Sequence, residues 1–210
     1  RLGIPPSDLA DDGMFLRRVY LDTIGTLPTA EEARAFLADT DPTKRGKVID
    51  QLLEREEYTD YWALRWADLL RVDREKITPH AALGMTRWLK TQLTDNRSYD
   101  QIVHDILTAR GPISAESPAG LFKALDTPAL ASKSVSQLFL GVRIECAQCH
   151  HHPSERWTQE DFWALSGFFA GLSIKKMPDG SDSLLAQRGF SLKFPKTGEE
   201  LPPRVLGGEP

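Results

Sequence analysis

The chain carries only two cysteines in 210 residues, Cys146 and Cys149, three positions apart. A bond between them could not tie distant segments together, so the fold has to rest on an apolar core. Hydrophobic residues make up 40% of the sequence, ample for one such core at this length. Both cysteines fall in the run Cys146-Ala147-Gln148-Cys149-His150. This is the attachment sequence of a c-type haem.

The spacing has a chemical reason. Two intervening residues start a helical turn, so both sulfurs face one porphyrin edge and can add across its vinyl groups. The adjacent His150 then projects its imidazole toward the iron. Two other chemistries use the same residues. Cys146 and Cys149 could form a redox-active or structural disulfide. They could also bind zinc with the run His150-His151-His152, although structural zinc sites draw on two separated ligand pairs and no second pair is present. His80 and His104 are the distant histidines that could complete such a site.

For the opposite face of the iron the candidate is Met177, in Lys175-Lys176-Met177-Pro178. A loop methionine stiffened by proline needs no helix register to present its thioether. Phe139, Trp157, Phe162, Trp163, Phe168 and Phe169 lie near the motif and are candidates for the apolar wall that a porphyrin needs. His151 and His152 are too close in sequence to reach the far side, and are expected to cap the turn, bond a propionate or face water.

The apolar pattern is helical almost to the end. Asp12 heads a helix bearing Phe15, Leu16, Val19 and Tyr20, ending near Gly25. Thr29 and Glu32 read as a capping box. Asp41-Pro42 opens a helix with Val48, Ile49, Leu52 and Leu53 on one face. A segment over 57–72 carries Tyr58, Tyr61, Trp62, Trp66 and Leu69. Thr78-Pro79, Ser98, Thr127-Pro128 and Thr158 each start a further helix. Residues 111–126 form a loop rich in Pro, Gly and Ser. Phe190, Leu192 and Phe194 alternate before a turn at Lys196-Thr197-Gly198, which predicts a small hairpin. Leu201-Pro202-Pro203-Arg204 reads as an extended segment leading toward another domain. The expected architecture is all-α: a single multi-helix domain over 1–172, then an irregular or hairpin tail over 173–210, with no buried sheet.

The formal net charge of −4 and the lack of a basic stripe argue against nucleic acid as a partner. The longest apolar stretch, around Ala164 to Ile174, is too short to span a bilayer. The opening Arg1-Leu2-Gly3-Ile4-Pro5-Pro6 reads as the start of a mature product or an excised piece of something longer. Covalent haem attachment normally occurs outside the cytoplasm, so the motif predicts a periplasmic or otherwise exported protein. Nothing resembles a nucleophile elbow or a phosphate-cradling glycine loop. These features predict an electron-transfer module carrying haem c, with a small protein or an adjacent domain as redox partner. A non-haem structural module with a disulfide or metal at the two cysteines is one alternative. A five-coordinate haem enzyme or ligand binder is another.

The stretch from Phe139 to Pro153, followed by Trp157-Thr158-Gln159-Glu160-Asp161-Phe162, resembles the planctomycete-specific cytochrome-like domain family, a domain of unknown function. The likeness extends to Arg17-Arg18-Val19-Tyr20-Leu21-Asp22, to Gly25-Thr26-Leu27-Pro28-Thr29, and to the span from Tyr61-Trp62 to Arg71. It also takes in Ser98-Tyr99-Asp100 and the run from Lys196 to Pro203. The resemblance implies a large exported multi-domain protein in which this domain precedes another. Members often read Cys-His-Asp-His where this chain has Cys149-His150-His151-His152, so an acidic role at position 151 is absent here.

Overall fold

The computed structural model describes the chain except residues 1, 2, 4, 6, 73, 74, 114, 115, 188, 209 and 210. Most of the opening hexapeptide, and Ser114 and Ala115 of the loop over 111–126, therefore lie outside the described residues. The chain divides into two compact units, Arg1–Arg65 and Trp66–Pro210. The helices of the first unit are α1 (Asp12–Ile24), α2 (Ala30–Ala38) and α3 (Lys44–Leu53); α4 (Glu56–Leu69) begins in it. The second contains α5 (Pro79–Thr94), α6 (Tyr99–Thr108), α7 (Leu121–Ala124), α8 (Pro128–Phe139) and α9 (Gln159–Gly167). Among the described residues no helix is long and apolar enough to cross a membrane.

In the first unit, Leu16, Tyr20 and Ile24 recur at helical spacing along α1 and bury against Phe36 of α2 and Val48 and Leu52 of α3. Asp11 caps α1, one residue before Asp12, accepting the Met14 N–H at 2.7 Å. At the other end Gly25 adopts φ 73°, a left-handed geometry. A Cβ there would lie 2.3 Å from the Tyr61 ring. Gly25→Ala is therefore expected to cost about 1–3 kcal/mol, read as a lowered denaturation midpoint.

The Thr29–Glu32 capping box forms in both directions, at 2.7 and 3.2 Å, and Arg55 donates to the other Glu32 oxygen at 2.8 Å. The Thr29 backbone N–H, then its hydroxyl and the Arg55 guanidinium, hold the Glu32 carboxyl below the ordinary glutamate range. Arg55 also lowers Glu57 to about 2. A depressed carboxyl stabilises the fold above its unfolded value, about 4.3, and loses that stabilisation as pH falls through the folded value. Stability is thus expected to drop on acidification below pH ~4.3, and Glu32→Gln to flatten part of that slope in urea titrations at several pH values.

In the second unit the caps fall as the sequence predicts. Thr78 accepts from Ala81 N, Thr127 from Leu130 N, and Thr158 forms a capping box with Asp161. Ser98 stands at the cap of α6 without a side-chain bond to the helix's first N–H groups.

The fold is mostly helical, as expected, and adds short antiparallel strands that the all-α reading did not include. Strands β1 (Gly111–Pro112), β2 (Leu172–Lys176) and β3 (Asp182–Ala186) form a sheet in the order β1-β3-β2. Leu184 faces both Gly111 and Ile174 in register, and is buried. The sequence hides this sheet because β2 exposes four of its five residues, so burial does not alternate. Lys123 pairs with Asp182, fixing α7 to β3. The hairpin expected in the tail forms as β4 (Leu192–Lys193) with β5 (Glu200–Leu201). The segment beyond it is docked: Arg204 N–H donates to the Ala164 carbonyl at 3.1 Å, and its guanidinium meets Asp161 at 3.1 Å.

Candidate functional site

Helix α8 ends at Gly141, whose φ of 67° lets Val142 N–H return to the Ser136 carbonyl at 3.0 Å. The chain then enters a 3-10 turn over Glu145–Gln148. With three residues per turn, positions i and i+3 lie on one edge. Ile144 and Ala147 take the inner edge and are buried against Phe162 and Leu165 of α9. Cys146 and Cys149 take the next edge, and both are free and exposed. The Cys146 carbonyl accepts from Cys149 N and His150 N, each at 3.4 Å, so the turn itself sets the thiol spacing.

Helix α9 holds this turn in place. The Gln148 carbonyl accepts from Gln159 Nε2 at 3.1 Å and from Trp163 Nε1 at 3.3 Å. Gln159 is the supporting residue that the sequence does not single out for the site; Trp163, read there as a candidate for the apolar wall, bonds the turn. The signal was present: the Thr158–Asp161 capping box makes Gln159 the first helical residue and puts Trp163 one turn further along the same face. Trp163→Phe keeps the ring and removes one bond. It is expected to cost about 1 kcal/mol and to raise amide exchange at Cys149 and His150.

The three consecutive histidines are chemically distinct. His150 Nδ1 lies 2.6 Å from the His151 carbonyl, which can only accept, so Nδ1 carries the proton and Nε2 keeps its lone pair. The other two are arranged in reverse. His151 Nδ1 accepts the Gln159 N–H at 3.3 Å. His152 Nδ1 accepts from Ser154 N and Glu155 N at 3.3 and 3.0 Å. As neutral rings these two carry their proton on Nε2, so His150 alone of the three has an uncommitted nitrogen lone pair. His151 thus caps the start of α9, and His152 caps the turn at Ser154 and Glu155, rather than the cysteine turn itself.

Of the residues predicted for an apolar wall, Phe162 is 0% exposed and belongs to the core under the cysteines, edge-on to Trp163 at 5.3 Å. Trp157 is half-buried; its Nε1 donates to Glu155 Oε2 at 2.7 Å and Arg156 stacks on its ring. Phe139 lines a separate groove between α6, α8, α9 and the tail, about 520 Å³ in volume. Met177 lies in the β2–β3 turn, where its N–H donates to Ser181 O at 2.8 Å and its carbonyl accepts Gly180 N–H at 2.9 Å. No described contact brings Met177 to His150. His80 and His104 are exposed, and His104 lies beside Asp105. Among the described residues, no three His, Cys, Asp or Glu side chains converge as a metal-binding group.

The turn thus presents two exposed thiols, followed at once by an imidazole whose Nε2 is free. A tetrahedral ion needs a third and fourth ligand that these residues do not assemble. Residues 1–173 match the family model PSCyt2, described as a protein of unknown function (DUF1549). No curated protein and no solved structure matches the chain.

Proposed function

We propose that this chain, which belongs to the PSCyt2 family of unknown function, is a covalent haem c module that transfers electrons within an exported protein. The observation that carries the reading is the 2.6 Å contact of His150 Nδ1 with the His151 carbonyl, which leaves Nε2 free, beside two free, exposed thiols on one edge of the 3-10 turn. Each thiol would add across one vinyl group: the sulfur bonds one carbon and the thiol hydrogen ends on the other. His150 Nε2 would ligate the iron, with the Nδ1–H bond to the His151 carbonyl orienting the ring. When bound, the haem supplies a one-electron ferric–ferrous couple. The buried packing of Ile144 and Ala147 on Phe162, with the two bonds to the Gln148 carbonyl, keeps the turn rigid, which limits reorganisation. A neighbouring domain or a small redox protein would exchange the electron. The resemblance to planctomycete cytochrome-like domains and the chemistry of haem attachment both support an exported location.

A second reading has its own support. Met177 sits in the β2–β3 turn, 39% exposed and with no contact to the cysteine turn among the described residues, which favours a five-coordinate iron with an open face and ligand binding there. Production with the haem maturation machinery tests both readings. A pyridine haemochrome of thioether type supports attachment, and a colourless protein removes it. In the coloured protein, a ferric spectrum that turns high-spin on Met177→Ala establishes Met177 as the sixth ligand. A high-spin spectrum unchanged by that substitution establishes the open face.

A further inference from the structure

The groove between α6, α8, α9 and the tail has no part in the haem reading, since Cys146, Cys149 and His150 do not line it. Its volume, about 520 Å³, is that of a small-molecule site (~300–1,000 Å³). Its wall is apolar throughout, including Leu107, Val135 and Phe139, with a single exception, Arg110. Leu140, Phe168 and Val205 on the wall are 53, 50 and 60% exposed, so a contiguous apolar surface stands open to water. Arg110 Nη1 donates to the neighbouring Ala109 carbonyl, and no ion pair of Arg110 is found among the described residues.

We propose that this groove binds one long-chain carboxylate, its hydrocarbon along the apolar wall and its headgroup on the Arg110 guanidinium. A guanidinium with no acid beside it is matched by a carboxylate, which it can hold through two parallel bonds. A ligand with more polar groups would leave them buried without partners. A second copy of the chain is disfavoured by charge: a two-fold interface opposes the same patch to itself, and this patch offers a cation and no acid. A membrane surface is disfavoured because anionic bilayers attract clusters of cations, and one arginine is not a cluster.

Equilibrium dialysis of the full chain against labelled palmitate below its micelle concentration tests this, with hexadecanol as the neutral counterpart. Saturation at one palmitate per chain is expected. Arg110→Gln should weaken palmitate about tenfold and leave hexadecanol within about twofold. Leu140→Glu, at an exposed position that keeps the fold, should weaken palmitate at least as much. Failure to saturate, equal effects of Arg110→Gln on both ligands, binding confined to phosphatidylglycerol vesicles, or a dimer in sedimentation that excludes palmitate would each overturn the assignment. None of these outcomes bears on haem attachment.

Discussion

Phe162→Ala is expected to destabilise the second unit by about 3–5 kcal/mol, the largest effect of any single substitution considered for it. Phe162 is completely buried and packs against Ile144, Ala147 and Leu165. Its removal forfeits the transfer of an aromatic ring out of water and leaves a void that the helix backbone cannot collapse into. A whole domain is stable by only about 5–15 kcal/mol, so this loss is a large share of the total. In urea the midpoint should fall with the slope unchanged. The same void lies directly beneath the cysteine turn, because Ala147 rests on the ring. The yield of covalently loaded protein should therefore fall with stability, while Phe162→Leu, which refills much of the space, should restore most of both.

That core position was legible in the sequence as an apolar residue in a helix, and its cap was legible too. Thr158, Thr29 with Glu32 and Thr127-Pro128 are local signals, decided within four residues, and each appears in the structure where the sequence places it. The sheet was not legible, because β1 and β3 pair across some seventy intervening positions, β1 is only two residues long and β3 does not alternate in burial. The docking of the chain's last described segment was not legible for a related reason. Pro202 to Arg204 look like a linker, yet Arg204 finds Asp161 and Pro203 packs within 3.2 Å of where a Gly167 Cβ would stand. Proximity in space between residues 161 and 204 leaves no trace in local pattern. In the candidate site, the thiols and His150 were plain from spacing alone. Which histidine nitrogen is free was not, since it depends on the hydrogen bonds that surround three adjacent imidazoles.

The second large effect falls on the thiols. Cys146→Ser with Cys149→Ser is expected to abolish covalent haem entirely, and each single variant to retain one thioether. Both side chains are exposed, so the fold should lose no more than about 0.5 kcal/mol. Circular dichroism and urea midpoints should match the parent chain while the covalently bound chromophore is gone. His150→Ala should behave differently: the porphyrin stays bonded through sulfur, and the spectrum changes because the iron has lost its imidazole. A double cysteine variant that still carried covalent haem would refute the assignment of these two residues, and a His150→Ala spectrum identical to the parent would refute that of the ligand.

The most direct measurement is the intact mass of the natively matured chain, taken with and without a thiol alkylating reagent. One haem added through both sulfurs predicts a single haem-sized increase and no alkylation. An unincreased mass with two alkylatable thiols, or a mass two hydrogens lighter with none, would contradict the account.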